Sequence, residues 1–217
     1  MTTTVWNDPP SGMVIQPPSV SQELSRVVIV GPCGAGKTTM ATEFAHVLQA
    51  AHLALDDLVW GAGWRRRSNS EFIAAIERET SATKWVVDGD YGEVIAREVW
   101  PKADLIIWLD YPPLVFIARL IVRELRNGLA HVEPWAGHLA HLRWLVGKVY
   151  RSLWQGRSLR NSLPGRLSRL APEVPLLRLT SPAQARRYLR EVAQVRGANA
   201  DDSSGALANS ARFMESW

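Results

Sequence analysis

Val27-Val28-Ile29-Val30-Gly31-Pro32-Cys33-Gly34-Ala35-Gly36-Lys37-Thr38 is the stretch whose reading decides the fold. Four apolar, mostly β-branched residues form a strand. The next eight match G-x-x-x-x-G-K-[ST] without a gap, and an amphipathic run over 39–50 follows as a helix. The physical logic is specific. Glycines let successive backbone N–H groups converge on phosphate oxygens, and the helix start adds its partial positive charge. Lys37 can then reach the β- and γ-phosphates, and the Thr38 hydroxyl can ligate Mg²⁺. The pattern predicts a nucleoside triphosphate site made of Gly31, Cys33, Gly34, Ala35, Gly36, Lys37, Thr38 and Thr39. Cys33 reads as a small loop filler that an alkylating agent could reach.

Outward from this loop, short continuous apolar runs recur at 26–30, 52–55, 84–87, 104–109 and 175–179, separated by helical patterns such as 39–50 and 71–80. Continuous rather than alternating runs suit strands covered on both faces. The expected fold is α/β: a three-layer phosphate-loop NTPase with a five-stranded parallel sheet and a helical lid. Residues 1–25, with Pro9-Pro10 and Pro17-Pro18, read as a disordered arm, and 193–217 as a flexible tail. The working domain is 26–192, with the lid region at about 119–165.

Composition narrows the class. Of 217 residues 47% are apolar and 21% charged, enough to bury a core. A single cysteine excludes a disulfide framework and a cysteine-based zinc site. No apolar run reaches the ~18 residues that span a bilayer, and the first basic residue is Arg26, so a cytoplasmic location without a secretory signal is expected. The net charge of +4 hints at an anionic partner. Its distribution is more telling: residues 119–170 hold ten Lys/Arg against two Asp/Glu. That segment falls where a lid would close over polyphosphate, which favours a nucleotide over a nucleic acid, though a nucleic-acid-associated NTPase or a nucleotide-binding switch stays as the alternative.

Ligands of open α/β sheets collect at the carboxyl ends of strands, and three of those ends carry Asp: Asp56-Asp57, Asp88 with Asp90, and Asp110. The Asn-Lys-x-Asp motif of a signalling GTPase and the LSGGQ signature of a transporter ATPase are both absent from the sequence. The combination resembles the adenylate-kinase-related nucleoside and nucleotide kinases. Leu55-Asp56 followed by Trp60 and Gly63-Trp64, then Trp85-Val86-Val87-Asp88-Gly89-Asp90-Tyr91, is similar to the bacterial topology-modulation-protein family over about residues 27–190. Two places depart from that family's pattern: Asp90 stands for its usual Asn, and Ala130-His131-Val132-Glu133-Pro134 for its Arg-Pro-Asp segment.

The resemblance implies a kinase that moves the γ-phosphoryl of ATP, with Mg²⁺, to a nucleoside or nucleotide-like small molecule. It implies Asp88, with Thr38, beside the magnesium shell, with a buried cap of the Gly89 turn as the other reading. It puts Asp56 at the acceptor cleft as base or orienting group, with Asp57 or a loop-capping role as alternatives. Trp60, Trp64 and Tyr91 are either an acceptor wall or packing for the acceptor-side segment. Arg65-Arg66-Arg67 suit an acceptor phosphate or a solvated charge run. Arg119, Arg123 and Arg126, spaced four and three apart, share a helical face. Arg119 and Arg123 are the candidate catalytic cations of the lid, against a surface stripe pairing with Glu124. Thr180, Ser181 and Pro182 either wrap the adenine or cap a helix with Ser181. Zinc at His131, His138 and His141 is disfavoured. A second apolar stripe, Leu139, Leu142, Val146, Val149 and Leu153, is expected on a lid or dimer helix, leaving the protein a monomer or a homodimer.

Overall fold

The computed structural model describes residues 24–60, 65–130 and 138–197, with side chains for all of these except 125–130 and 138–143. Trp64, His131, the outer parts of both termini and the side chains of Arg126, Leu139 and Leu142 therefore lie outside the described residues.

Five parallel strands form one sheet in the order β2-β3-β1-β4-β5. They are β1 (Arg26–Val30), β2 (Ala51–Ala54), β3 (Trp85–Asp88), β4 (Leu105–Leu109) and β5 (Leu176–Leu179). β1 lies at the centre, in register with β3 through Val28 and Val87 and with β4 through Val28 and Ile106. Between strands run α1 (Lys37–Leu48), the one-turn α2 (Leu55–Leu58), α3 (Asn69–Glu79), α4 (Gly92–Val99), α5 (Pro113–Ala130) and α6 (His138–Leu170). A last helix, α7, covers 182–197. The expected three-layer α/β architecture is the observed one.

Strand side chains alternate between two cores, as a pleat requires. Val28, Val30, Trp85, Val87, Ile106 and Trp108 face one layer, packed by Phe72 and Ile76 of α3, Ile95 and Val99 of α4, and Leu159, Leu163 and Leu167 of α6. Val27, Ile29, Val86, Leu105 and Ile107 face the other, against Phe44 and Leu48 of α1, Phe116 of α5 and Tyr188 of α7. Burial on both sides explains the unbroken apolar runs.

One expectation is corrected. β2 stops at Ala54, so Leu55 and Asp56 belong to a helical turn, where Asp56 and Asp57 fall in the first turn and suit its dipole. Among its described side chains, the apolar stripe along 139–154 leaves Val146 60% and Leu153 39% exposed. The buried apolar stripe of α6 runs through Leu159, Leu163 and Leu167, while Ser152 is the buried polar residue before it. This four-residue repeat fits a helix laid on a sheet.

Candidate active site

The phosphate loop leaves the end of β1 and turns into α1, whose N-cap is Gly36 at φ 92°. Gly34 sits at φ 84°, and a Cβ there would come within 2.3 Å of the Phe116 carbonyl oxygen. Only glycine allows α5 to lie this close to the loop. Lys37 Nζ donates to the Pro32 carbonyl at 3.3 Å, which holds the ammonium over the loop.

Two helices grip the loop from outside. Arg119 of α5 donates to the Ala35 carbonyl at 3.0 Å and lies 5.7 Å from the Tyr111 ring centre. Arg123 Nη2 lies 3.6 Å from Cys33 Sγ and 3.4 Å from Glu124 Oε1. From α6, the Ser152 hydroxyl donates to the Cys33 carbonyl at 2.6 Å, and the Cys33 N–H donates to Gln155 Oε1 at 3.2 Å. Lys148 donates to the buried Glu124 at 3.0 Å, tying α6 to α5.

Beside the loop stands the end of β3, where the Gly89 N–H donates to the Ile29 carbonyl, and next to it the end of β2. Asp88 is buried, and His52 Nε2 lies 3.4 Å from its Oδ1. The Tyr91 hydroxyl donates a short hydrogen bond to Asp56 Oδ1. Burial first, then the Asp56 carboxylate, raises the Tyr91 phenol above its ordinary value, so it stays a donor. Asp90 accepts a two-pronged ion pair from Arg166 at 2.8 and 2.9 Å, and that guanidinium also donates to the Gly92 carbonyl and lies over Trp100.

These walls enclose a cleft of about 1070 Å³. It brings together Gly31, Cys33, Gly34, Ala35, Gly36, Lys37, Thr38 and Thr39 with Asp56, Asp88, Tyr91, Arg119, Arg123 and Pro182. Trp60 is outside this lining; it is partly exposed and its backbone pairs with Arg66. Thr180 and Ser181 are also outside it. The Thr180 N–H and hydroxyl both donate to Gln184 Oε1, and Ser181 Oγ accepts from the Gln184 N–H, the helix-cap arrangement. Asp110 is consumed by Arg160 at 2.6 Å and Arg178 at 2.5 Å. Arg65 pairs with Glu71, and Arg67 donates to the Leu58 carbonyl.

Thr38 and Asp88 offer an all-oxygen donor set on the cleft. This fits Mg²⁺, which takes one or two protein oxygens and completes its shell with phosphates and water.

Sequence reading missed most of what α6 contributes. Lys148, Arg151, Gln155, Ser158, Ser162 and Arg166 all line the cleft. Their spacing of three or four places them along one helical stripe. That polar stripe was the available signal, masked by the neighbouring apolar residues.

No protein-family model matches the chain, and no curated protein does either. Among solved structures the chain is similar to a shikimate kinase from Acinetobacter baumannii, 19% identical, covering 81% of this chain and 94% of that one, with a TM-score of 0.48. It is also similar to a gluconokinase from Sinorhizobium meliloti, 14% identical, covering 85% and 98%, with a TM-score of 0.47.

Proposed function

We propose that this chain is a small-molecule kinase that moves the γ-phosphoryl group of MgATP onto an acceptor hydroxyl, a nucleoside or nucleotide-like compound. The supporting observation is a single cleft with a phosphate loop on one wall and a Tyr91-bonded carboxylate, Asp56, on the other. A nucleotide kinase acts on an acceptor that is already ionised and needs no base, whereas a hydroxyl acceptor gains from one within hydrogen-bond reach.

In this reading the loop N–H groups and Lys37 hold the triphosphate. Arg119 and Arg123, fastened to the loop at Ala35 and Cys33, face charge that develops on the transferring group. Thr38 and Asp88 would hold Mg²⁺, which neutralises phosphate charge when bound. Asp56 accepts the acceptor hydroxyl proton, and Tyr91 fixes its carboxylate. Pro182 offers a flat face at the donor base, while Thr180 and Ser181 serve the helix cap. The resemblance to the topology-modulation family rests on the residues quoted above.

Arg119, Arg123, Lys148, Arg151 and Arg166 of the basic segment face the cleft, which favours a phosphorylated ligand over nucleic acid. The test is ADP release over a panel of hydroxylated metabolites and nucleosides. Lys37→Ala is expected to lose both ATP binding and turnover. Asp56→Asn should bind MgATP normally and lose ~10²–10⁴-fold in turnover. Normal turnover by Asp56→Asn would remove the base role, and ATP consumption that no acceptor stimulates would remove the kinase reading.

A further inference from the structure

Charge is divided unevenly along the cleft. Lys37, Arg119, Arg123 and Lys148 gather at the phosphate loop, and Arg151 lies one turn before the loop-contacting Gln155. Besides Asp88, which belongs with Thr38 to the proposed magnesium site, the opposite end presents two carboxylates, Asp56 and Asp90, and one guanidinium among the described lining residues, Arg166. That guanidinium is matched at its outer edge, and its buried Nε alone lacks a partner. Both of its terminal nitrogens bind Asp90, one also binds the Gly92 carbonyl, its face covers Trp100, and it is only 10% exposed. At the nearby rim Arg65 is held by Glu71 and Arg67 by the Leu58 carbonyl. Arg66 is exposed at this rim, and its charge opposes the rise of the Tyr91 phenol.

Building on the kinase reading, we infer that the acceptor carries no phosphate or carboxylate: it is an uncharged polyol or nucleoside, or one bearing an amine. An anionic group at this end would meet the Asp56 carboxylate with no unmatched cation beside it among the described lining residues, and unpaired like charges reject a ligand. An uncharged hydroxyl compound meets hydrogen-bonding partners instead: Asp56, Ser158 and Ser162. An amine would gain from the Asp56 carboxylate.

The experiment measures ADP release by the full chain with matched pairs: a nucleoside against its 5′-monophosphate, an alditol against the aldonate, and glucose against glucosamine and gluconate. The uncharged or aminated member should exceed the anionic one by about tenfold or more in kcat/KM, the worth of one unmatched charge-assisted contact. Asp90→Asn, which releases Arg166 from its carboxylate, should move that ratio toward the anionic member by about tenfold. Anionic members used equally well or better would overturn the inference and leave the kinase reading standing, and their loss in Arg66→Gln would identify the cation responsible. An unchanged ratio in Asp90→Asn would overturn the role given to Arg166. ADP release that no member stimulates would overturn the kinase reading, and the inference with it.

Discussion

At the phosphate-loop end of the cleft, a ligand faces main chain: a turn of eight consecutive residues and the first amides of α1. At the acceptor end it faces side chains brought together from α2, the β3 end and α6. The first is shaped by what is missing, since a Cβ at Gly34 would strike Phe116. The second is shaped by pairs such as Tyr91 with Asp56 and Arg166 with Asp90, which lie 35 and 76 residues apart in the chain. In the proposed kinase reading, backbone geometry would recognise a group common to every donor nucleotide. Side-chain pairs can be exchanged one at a time, so this is the end where the choice of acceptor can change without loss of the fold.

Three substitutions or conditions test this contrast, beginning with the largest effect. Gly34→Ala combines a left-handed backbone with a clash against the main chain of α5, and should cost ~3 kcal/mol or more. Urea unfolding measures it. A loss below about 1 kcal/mol would mean that α5 can shift, and that the loop is less dependent on glycine than its geometry implies. Tyr91→Phe removes the donor to Asp56 and leaves the loop intact. Turnover should fall about tenfold, with the KM for ATP unchanged, as expected for one lost hydrogen bond to a charged group. A parallel rise in the ATP KM would show that the two ends are not separable.

The smallest effect concerns the cap that starts α3, next to the acceptor-side segment. Glu71 accepts from Arg65 and from both the backbone and the hydroxyl of Ser68, and these hold its carboxyl at about 2, below its ordinary 4.5. The folded value is the lower one, so this contribution to stability is fully present above about pH 4.5 and is lost as pH falls toward 2. Both partners are exposed, so the effect is slight. Glu71→Gln should flatten the acid limb of stability against pH, and an unchanged limb would show the pair to be without consequence.

The same contrast explains what could be read in advance. The loop was legible because its chemistry requires particular residues at fixed spacing, and the strands because burial on both faces leaves unbroken apolar runs. Asp56, Asp88 and Tyr91 were found through strand ends and family resemblance. Arg166 was not, because nothing local distinguishes it from the other arginines of α6; its role depends on a carboxylate 76 residues away. Asp110 shows the reverse failure. It looked like a ligand-facing strand end, yet Arg160 and Arg178 converge on it from α6 and β5. The apolar stripe on 139–154 announces a helix, as amphipathic spacing does, without saying what lies beneath it.

The length of α6 has a mechanical consequence. Its 33 residues extend about 50 Å at 1.5 Å per residue, while five strands spaced near 4.8 Å span only about 20 Å from first to last. The sheet can support only part of such a rod. The apolar anchors Leu159, Leu163 and Leu167 are on the C-terminal part, whereas Trp144, Tyr150 and Trp154 on the earlier turns are largely exposed. That earlier part overhangs the sheet and is moored by Lys148 to Glu124, and by Ser152 and Gln155 to the peptide groups of Cys33. An overhang fastened to the phosphate loop and to α5 is seated on both rather than on the sheet. Its position and the shape of the loop are therefore set together, and a force that displaces one is felt by the other.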